Sequence, residues 1–236
     1  MLMGYACGSA GAAQHFVRLK EALDVKYYKL HLIRHGLTQG NLEGRYIGSG
    51  TDLPLCEEGR AELRQLKAQF DYPQVPLVFV SPMLRAQQTA EELFPGVKTI
   101  VLQDLREMAF GVFENRLMTD LVKDPAFAAW MDPTSHAVPE GAEDRVAFYN
   151  RTGGMLMKLF EYMLRTHTEE AACVTHGGVL MSMLAQHALP QRKPEEWMAD
   201  PGCGFSVRLD AEMWMRDHLA EAYDVVPHGY LDVEEE

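Results

Sequence analysis

Hydrophobic positions gather along this chain in short runs, each cut off by a polar or glycine-containing turn. Residues 27–33, 76–80, 97–102 and 171–175 are apolar, β-branched or aromatic at most positions, as expected of strands buried in a sheet. A different period separates them. Leu63, Leu66 and Phe70 fall on one face of a helix that begins near Gly59. Residues 83–93, 144–165 and 179–188 also read as helices, the longest turning Val146, Met157, Phe160 and Leu164 toward a core. Strands alternating with helices predict an α/β fold with a mostly parallel sheet. Residues 204–210 read as an edge strand and 214–226 as one more strand or hairpin arm.

The stretch 116–141 breaks this rhythm, its composition shifting to Asp, Pro, Ala, Met and Trp. It reads as an insertion of short helices over the sheet edge, where a lid or a substrate-selecting wall would sit. Residues 1–26 read as an extension of a single domain covering 27–236, with a short amphipathic helix over 16–23 and nothing of a signal peptide's pattern. Glu234 to Glu236 read as a frayed acidic tail.

Composition narrows the choice of partners. At 236 residues, 47% of them hydrophobic, the chain can bury a sizeable core. A formal net charge of −12 argues against nucleic acid or an anionic membrane as a ligand. No apolar run reaches the length of a membrane span. Cys7, Cys56, Cys173 and Cys203 are scattered, so neither a disulfide framework nor a zinc site is expected, and a reducing cytoplasm is the expected setting. A homo-oligomer stays open.

The chemistry begins where the first apolar run ends, at Arg34-His35-Gly36-Leu37-Thr38-Gln39-Gly40-Asn41. A cation and an imidazole at the carboxyl end of a buried strand stand where open α/β sheets bind ligands. Gly36 permits a tight turn beside a ligand, while Thr38 and Asn41 add hydrogen-bonding side chains. Arg45 follows in a glycine-rich loop and is equally a solvated cation or a phosphate contact. The second run ends at Ser81-Pro82, and the next helix carries Arg85 in its first turn. An unpartnered arginine there opposes the helix dipole, whereas an anion at the same helix end would compensate it. The fourth run ends in His176-Gly177-Gly178, with the amides of the following helix aimed at the same strand end.

Together these segments resemble the histidine phosphatase (phosphoglycerate mutase-like) superfamily. Arg-His-Gly-x-Thr-x-x-Asn, Ser-Pro-x-x-Arg-Ala-x-x-Thr and Thr-His-Gly-Gly are its motifs, and Leu105 to Asn115 is similar to its Leu-x-Glu-x-x-x-Gly-x-Trp-Glu-Gly segment. That segment departs from the pattern at Phe113 and Asn115. The resemblance covers about residues 27–207 and implies a three-layer α/β/α sandwich. It also implies a phosphomonoesterase acting on a small phosphorylated metabolite through a phosphohistidine, with neither metal nor cofactor. On that reading His35 is the nucleophile and Glu107 the proton donor. Arg34, Arg85 and a protonated His176 hold the phosphoryl oxygens, with Asn41, Thr38, Arg45 and Gly177 as further phosphate contacts.

Phosphoglycerate mutase-type transfer is the alternative. A mutase must grip a carboxylate-bearing sugar acid, yet 115–123 offers only Arg116 and Lys123 as cations. A non-catalytic phospho-ligand module is a third reading, disfavoured by the presence of His35, Glu107 and His176 together.

Overall fold

A computed structural model describes residues 27–132 and 134–230. In chain order the strands are β1 (Tyr27–Arg34), β2 (Leu77–Val80), β3 (Lys98–Val101), β4 (Glu170–Thr175), β5 (Ala188–Leu189), β6 (Gly204–Asp210) and β7 (Ala220–Val226). The helices are α1 (Gln39–Leu42), α2 (Glu57–Gln69), α3 (Leu84–Leu93), α4 (Met118–Leu121), α5 (Pro125–Met131), α6 (Arg145–Thr166), α7 (Gly177–His187) and α8 (Ala211–Asp217). They form one sheet of order β3-β2-β4-β1-β6-β7-β5, covered by helices on both faces. The β1–β4, β2–β4, β2–β3 and β5–β7 pairs are parallel, and β6 runs antiparallel to β1 and β7.

The continuous apolar runs have a simple cause. Leu77 and Phe79 of β2, and Ala171 and Cys173 of β4, face a core shared with α6 and α7. Their neighbours Val78, Val80, Ala172 and Val174 face a second core shared with α2 and α3. Both sides of these strands are therefore dry, so no polar position is tolerated between them. A third cluster of Phe110, Phe113, Leu121, Phe127 and Trp130 packs the insertion. Its helices are short, and Asp124 caps α5 by accepting the Ala126 N–H, with Pro125 at the first helical position.

Four expectations need correction. Strand β6 is interior, between β1 and β7, because β7 returns antiparallel along it. Trp214 lies on α8, which Asp210 caps and His218 ends in the left-handed conformation, and only residues 220–226 are strand. On α6, Val146 and Met157 are 65% and 42% exposed, whereas the buried stripe is Phe148, Met155, Leu156, Leu159, Phe160 and Met163. Helix α7 begins at Gly177, two residues before its expected start. The expected helix over 16–23 and the acidic tail lie outside the described residues.

Candidate active site

Strands β1 and β4 run side by side in parallel with Arg34 opposite Thr175. The next residue of each, His35 and His176, therefore leaves the sheet at the same edge. Their ring centroids are 5.1 Å apart. The His35 N–H donates to Thr175 O at 2.9 Å, which ties the two strand ends together. The turn that follows is dense: a Cβ on Gly36 would lie 2.9 Å from Leu63 Cδ1, and the Gly36 N–H donates to Thr89 Oγ1 at 2.9 Å. Thr89 is the threonine of the Ser-Pro-x-x-Arg-Ala-x-x-Thr motif.

The tautomer of His35 follows from its partners. Its Nδ1 sits 2.7 Å from Gly36 O, a group that only accepts, so Nδ1 carries the proton. Nε2 is then the unprotonated ring nitrogen, and its lone pair accepts the Arg85 Nε–H at 3.2 Å. Burial, with Arg85 and Arg34 beside it, pushes the His35 pKa down to about 3. His35 is neutral at neutral pH. The rest of the Arg85 guanidinium donates to Thr51 O and Gly48 O, each at 3.0 Å. Those carbonyls belong to a loop that Glu114 fixes by accepting the Gly48, Gly50 and Phe110 N–H groups and the Thr51 hydroxyl. Asn115, next to it, takes φ 59°, the left-handed region that asparagine and glycine tolerate. The departure from glycine at this position thus leaves the turn intact.

Arg34 donates through Nη1 to Ala199 O at 2.7 Å, and its buried Nε has no hydrogen-bond partner. His176 is fully buried, with Ser81 Oγ 2.7 Å from Nε2 and a buried Nδ1 that lacks a partner. Burial and the neighbouring His35, Arg85, Arg151 and Arg34 hold its pKa well below the usual imidazole range. The expectation of a protonated His176 is corrected accordingly. In this cationic, desolvated pocket it is neutral.

Glu107 lies at the same edge. Thr175 Oγ1 donates to Leu105 O at 2.9 Å, and the carboxylate accepts the Met108 N–H at 2.8 Å and the Gly178 N–H at 3.0 Å. A Cβ on Gly178 would stand 2.6 Å from Glu107 Oε1, so only glycine admits this approach. Burial raises the Glu107 pKa, with those two N–H groups, Arg85 and Arg151 opposing it. Arg151 also braces the approach to Glu107. It donates to Asp104 O at 2.6 Å and Arg106 O at 2.9 Å, and pairs in two contacts with Glu143.

Arg34, His35, Asn41, Arg45, Glu107 and Gly177 line one cavity of about 600 Å³. Thr38 does not line it: fully buried, it caps α1, accepting the Asn41 N–H and donating to Asn41 Oδ1. Arg45 reaches the rim while paired with Glu43 at 2.6 Å. Arg145, which sequence reasoning missed, also lines the cavity. It sits in the first turn of the long helix without a motif to mark it. Ser81, Glu114 and Arg151 were missed too; the first two lie inside motifs, where spacing alone signals them. Among the described residues no group of three or more His, Cys, Asp or Glu could hold a metal ion, and no helix is long and apolar enough to cross a membrane.

The chain is similar to known proteins in sequence and in fold. The sequence profile described as "Histidine phosphatase superfamily (branch 1)" matches residues 30–220. Adenosylcobalamin/alpha-ribazole phosphatase of Escherichia coli is 30% identical over 187 residues, covering 77% of this chain and 90% of the relative. The crystal structure of the alpha-ribazole phosphatase from Shigella flexneri superposes with a TM-score of 0.69 at 29% identity, over 83% of this chain and 94% of that one. The crystal structure of phosphoglycerate mutase from Thermus thermophilus superposes with a TM-score of 0.59 at 33% identity, over 78% of this chain and 93% of that one.

Proposed function

The chain belongs to the histidine phosphatase superfamily, and from that premise we propose that it hydrolyses small phosphorylated metabolites by way of a phosphohistidine on His35. It is a phosphoric monoester hydrolase. One observation carries the residue assignment: Gly36 O holds the His35 proton on Nδ1, and this leaves the Nε2 lone pair facing Arg85 inside a buried cradle.

In the first step Nε2 of His35 attacks phosphorus in line, and the bond from phosphorus to the alcohol oxygen breaks. Arg34 and Arg85 offset the charge on the equatorial oxygens. If the Ser81 hydroxyl donates to His176 Nε2, the His176 proton sits on the unpartnered Nδ1, ready to donate to a phosphoryl oxygen. Glu107, its pKa raised by burial, passes its proton to the departing alcohol. As a carboxylate it then takes a proton from water, whose oxygen attacks phosphorus while the bond to nitrogen breaks. Phosphate leaves with His35 neutral and Glu107 protonated again. Asn41, Gly177 and Arg45 act at the edge of the cradle, and Thr38 acts through the fold of α1. Residues 27–236 form the catalytic domain in this reading, with 116–141 as its substrate-facing insertion. The free thiols Cys56, Cys173 and Cys203 support a reducing, cytoplasmic setting.

Mixing enzyme with ³²P-labelled phosphomonoester and quenching in alkali within one turnover should trap a base-stable, acid-labile adduct that the His35→Ala variant lacks. An adduct of that kind surviving in the variant overturns the assignment. The same preparation assayed for 2- and 3-phosphoglycerate interconversion with 2,3-bisphosphoglycerate should be slower there than in phosphate release. The reverse order would make it a mutase.

A further inference from the structure

The cavity continues well beyond the phosphoryl cradle, and its far wall is apolar. Tyr46, Phe110, Phe148, Tyr149, Met181 and Met198 line it together with His35 and Glu107. At about 600 Å³ it has the volume of a site for a drug-sized ligand, far more than a phosphorylated three-carbon acid fills. Its flat surfaces are ordered: Tyr46 stacks on Phe110 with centroids 3.9 Å apart and planes 13° off parallel. Its methionines can conform to different ring shapes. At the mouth, Met118, Tyr149 and Met198 are 37%, 47% and 58% exposed. Apolar side chains gathered in the open beside a catalytic cradle mark a ligand surface.

The charges on this wall are few. Arg45 is committed to Glu43. Arg145 has no carboxylate in ion-pair reach among the described residues; it donates to Asp132 O at 3.0 Å and lies 5.9 Å over the Trp130 ring. A second anion on the substrate would be desolvated among apolar side chains against this one guanidinium. A neutral ring meets no such cost, and Arg145 then serves a hydroxyl or carbonyl acceptor.

Building on the phosphatase reading, we propose that the alcohol half of the natural substrate is a large, uncharged body carrying an aromatic ring, seated against Tyr46, Phe110, Phe148 and Tyr149. Ethyl phosphate and 2-phenylethyl phosphate have leaving groups of similar basicity, so their comparison isolates the wall. The phenyl compound should have the higher kcat/KM on the order of fiftyfold, the worth of one buried ring. O-phospho-L-serine and 3-phosphoglycerate should fall at least about tenfold below it. Met198→Glu and Tyr149→Ser should each shrink the phenyl-to-ethyl ratio by roughly fivefold or more. Competitive inhibition by 2-phenylethylphosphonate against ethylphosphonate reads the same preference without turnover. Equal rates for the two alkyl esters, or a lead for the carboxylate-bearing esters, overturn the proposal and leave hydrolysis standing. Phosphate release from none of these esters, p-nitrophenyl phosphate included, overturns the phosphatase reading itself.

Discussion

Replacing Glu107 by glutamine tests the acid role most sharply. The carboxylate accepts two backbone N–H groups, from Met108 and Gly178. A glutamine retains one carbonyl oxygen and turns an NH2 group toward the other donor, which loses one buried hydrogen bond at about 1–3 kcal/mol of stability. The fold should survive that cost. The larger effect is chemical, since the side chain no longer has a proton to give. General acid catalysis contributes typically ~10²–10⁴-fold, or about 2.7–5.4 kcal/mol of barrier. An alkoxide leaving group needs all of it, whereas p-nitrophenolate departs unprotonated. The assay must compare kcat/KM, which reports the steps up to release of the alcohol. In the proposed mechanism kcat also contains hydrolysis of the phosphohistidine, with Glu107 as base for every substrate alike. We expect Glu107→Gln to lower kcat/KM at least about a hundredfold for an alkyl phosphate, and less than about tenfold for p-nitrophenyl phosphate. Equal fractional losses on the two substrates would refute the acid role and reduce Glu107 to a brace for the α7 terminus.

Further expectations follow from the same geometry. Ser81→Ala removes the 2.7 Å contact that orients His176, so product inhibition by inorganic phosphate should weaken by about tenfold, measured as Ki; an unchanged Ki would detach His176 from the phosphoryl group. Arg151→Met leaves Glu143 unpaired at 15% side-chain exposure and should cost about 3–5 kcal/mol in chemical denaturation. Because Arg151 holds the Glu107 pKa down, the alkaline limb of kcat/KM should also move to higher pH, a shift that a merely structural role would not produce. His35 and His176 titrate well below the unfolded value of about 6.5. Between pH 6.5 and the folded pKa the unfolded chain binds the extra proton. Stability should therefore be full above that range and fall on acidification by up to about 1.4 kcal/mol per pH unit for each group. His35→Asn should flatten that slope, and an unchanged slope would contradict the buried neutral imidazole.

Arg34, His35, Arg85, Glu107 and His176 were legible in sequence because each is fixed to its own short run of neighbours. A residue at a strand end or in a first helical turn is placed locally, and the parallel sheet brings the runs to one edge. Arg145 had no such mark, since only the packing of the insertion carries it to the cavity. Thr38 looked like a phosphate contact because a hydroxyl near a catalytic loop suits a helix cap and a ligand equally well. The position of β6 was hidden because strand order depends on long-range pairing that periodicity does not encode. Val146 and Met157 misled because, on a helix as long as α6, the buried stripe is set by what packs against it.

The strand order also governs how the molecule must be made. Strand β4 sits between β1 and β2, yet the ribosome delivers it after both, at residues 170–175. A nascent chain that has emerged only as far as Glu169 already carries His35, Glu107, Arg34 and Arg85, the proposed nucleophile, proton donor and cradle arginines. It nevertheless has no site, because the edges of β1 and β2 wait unpaired and apolar for a strand not yet synthesised. Strand β4 joins β1 to β2 and delivers His176 in the same event. Competence thus comes late and all at once, and the interval before it is when open strand edges most need shelter from association with other chains.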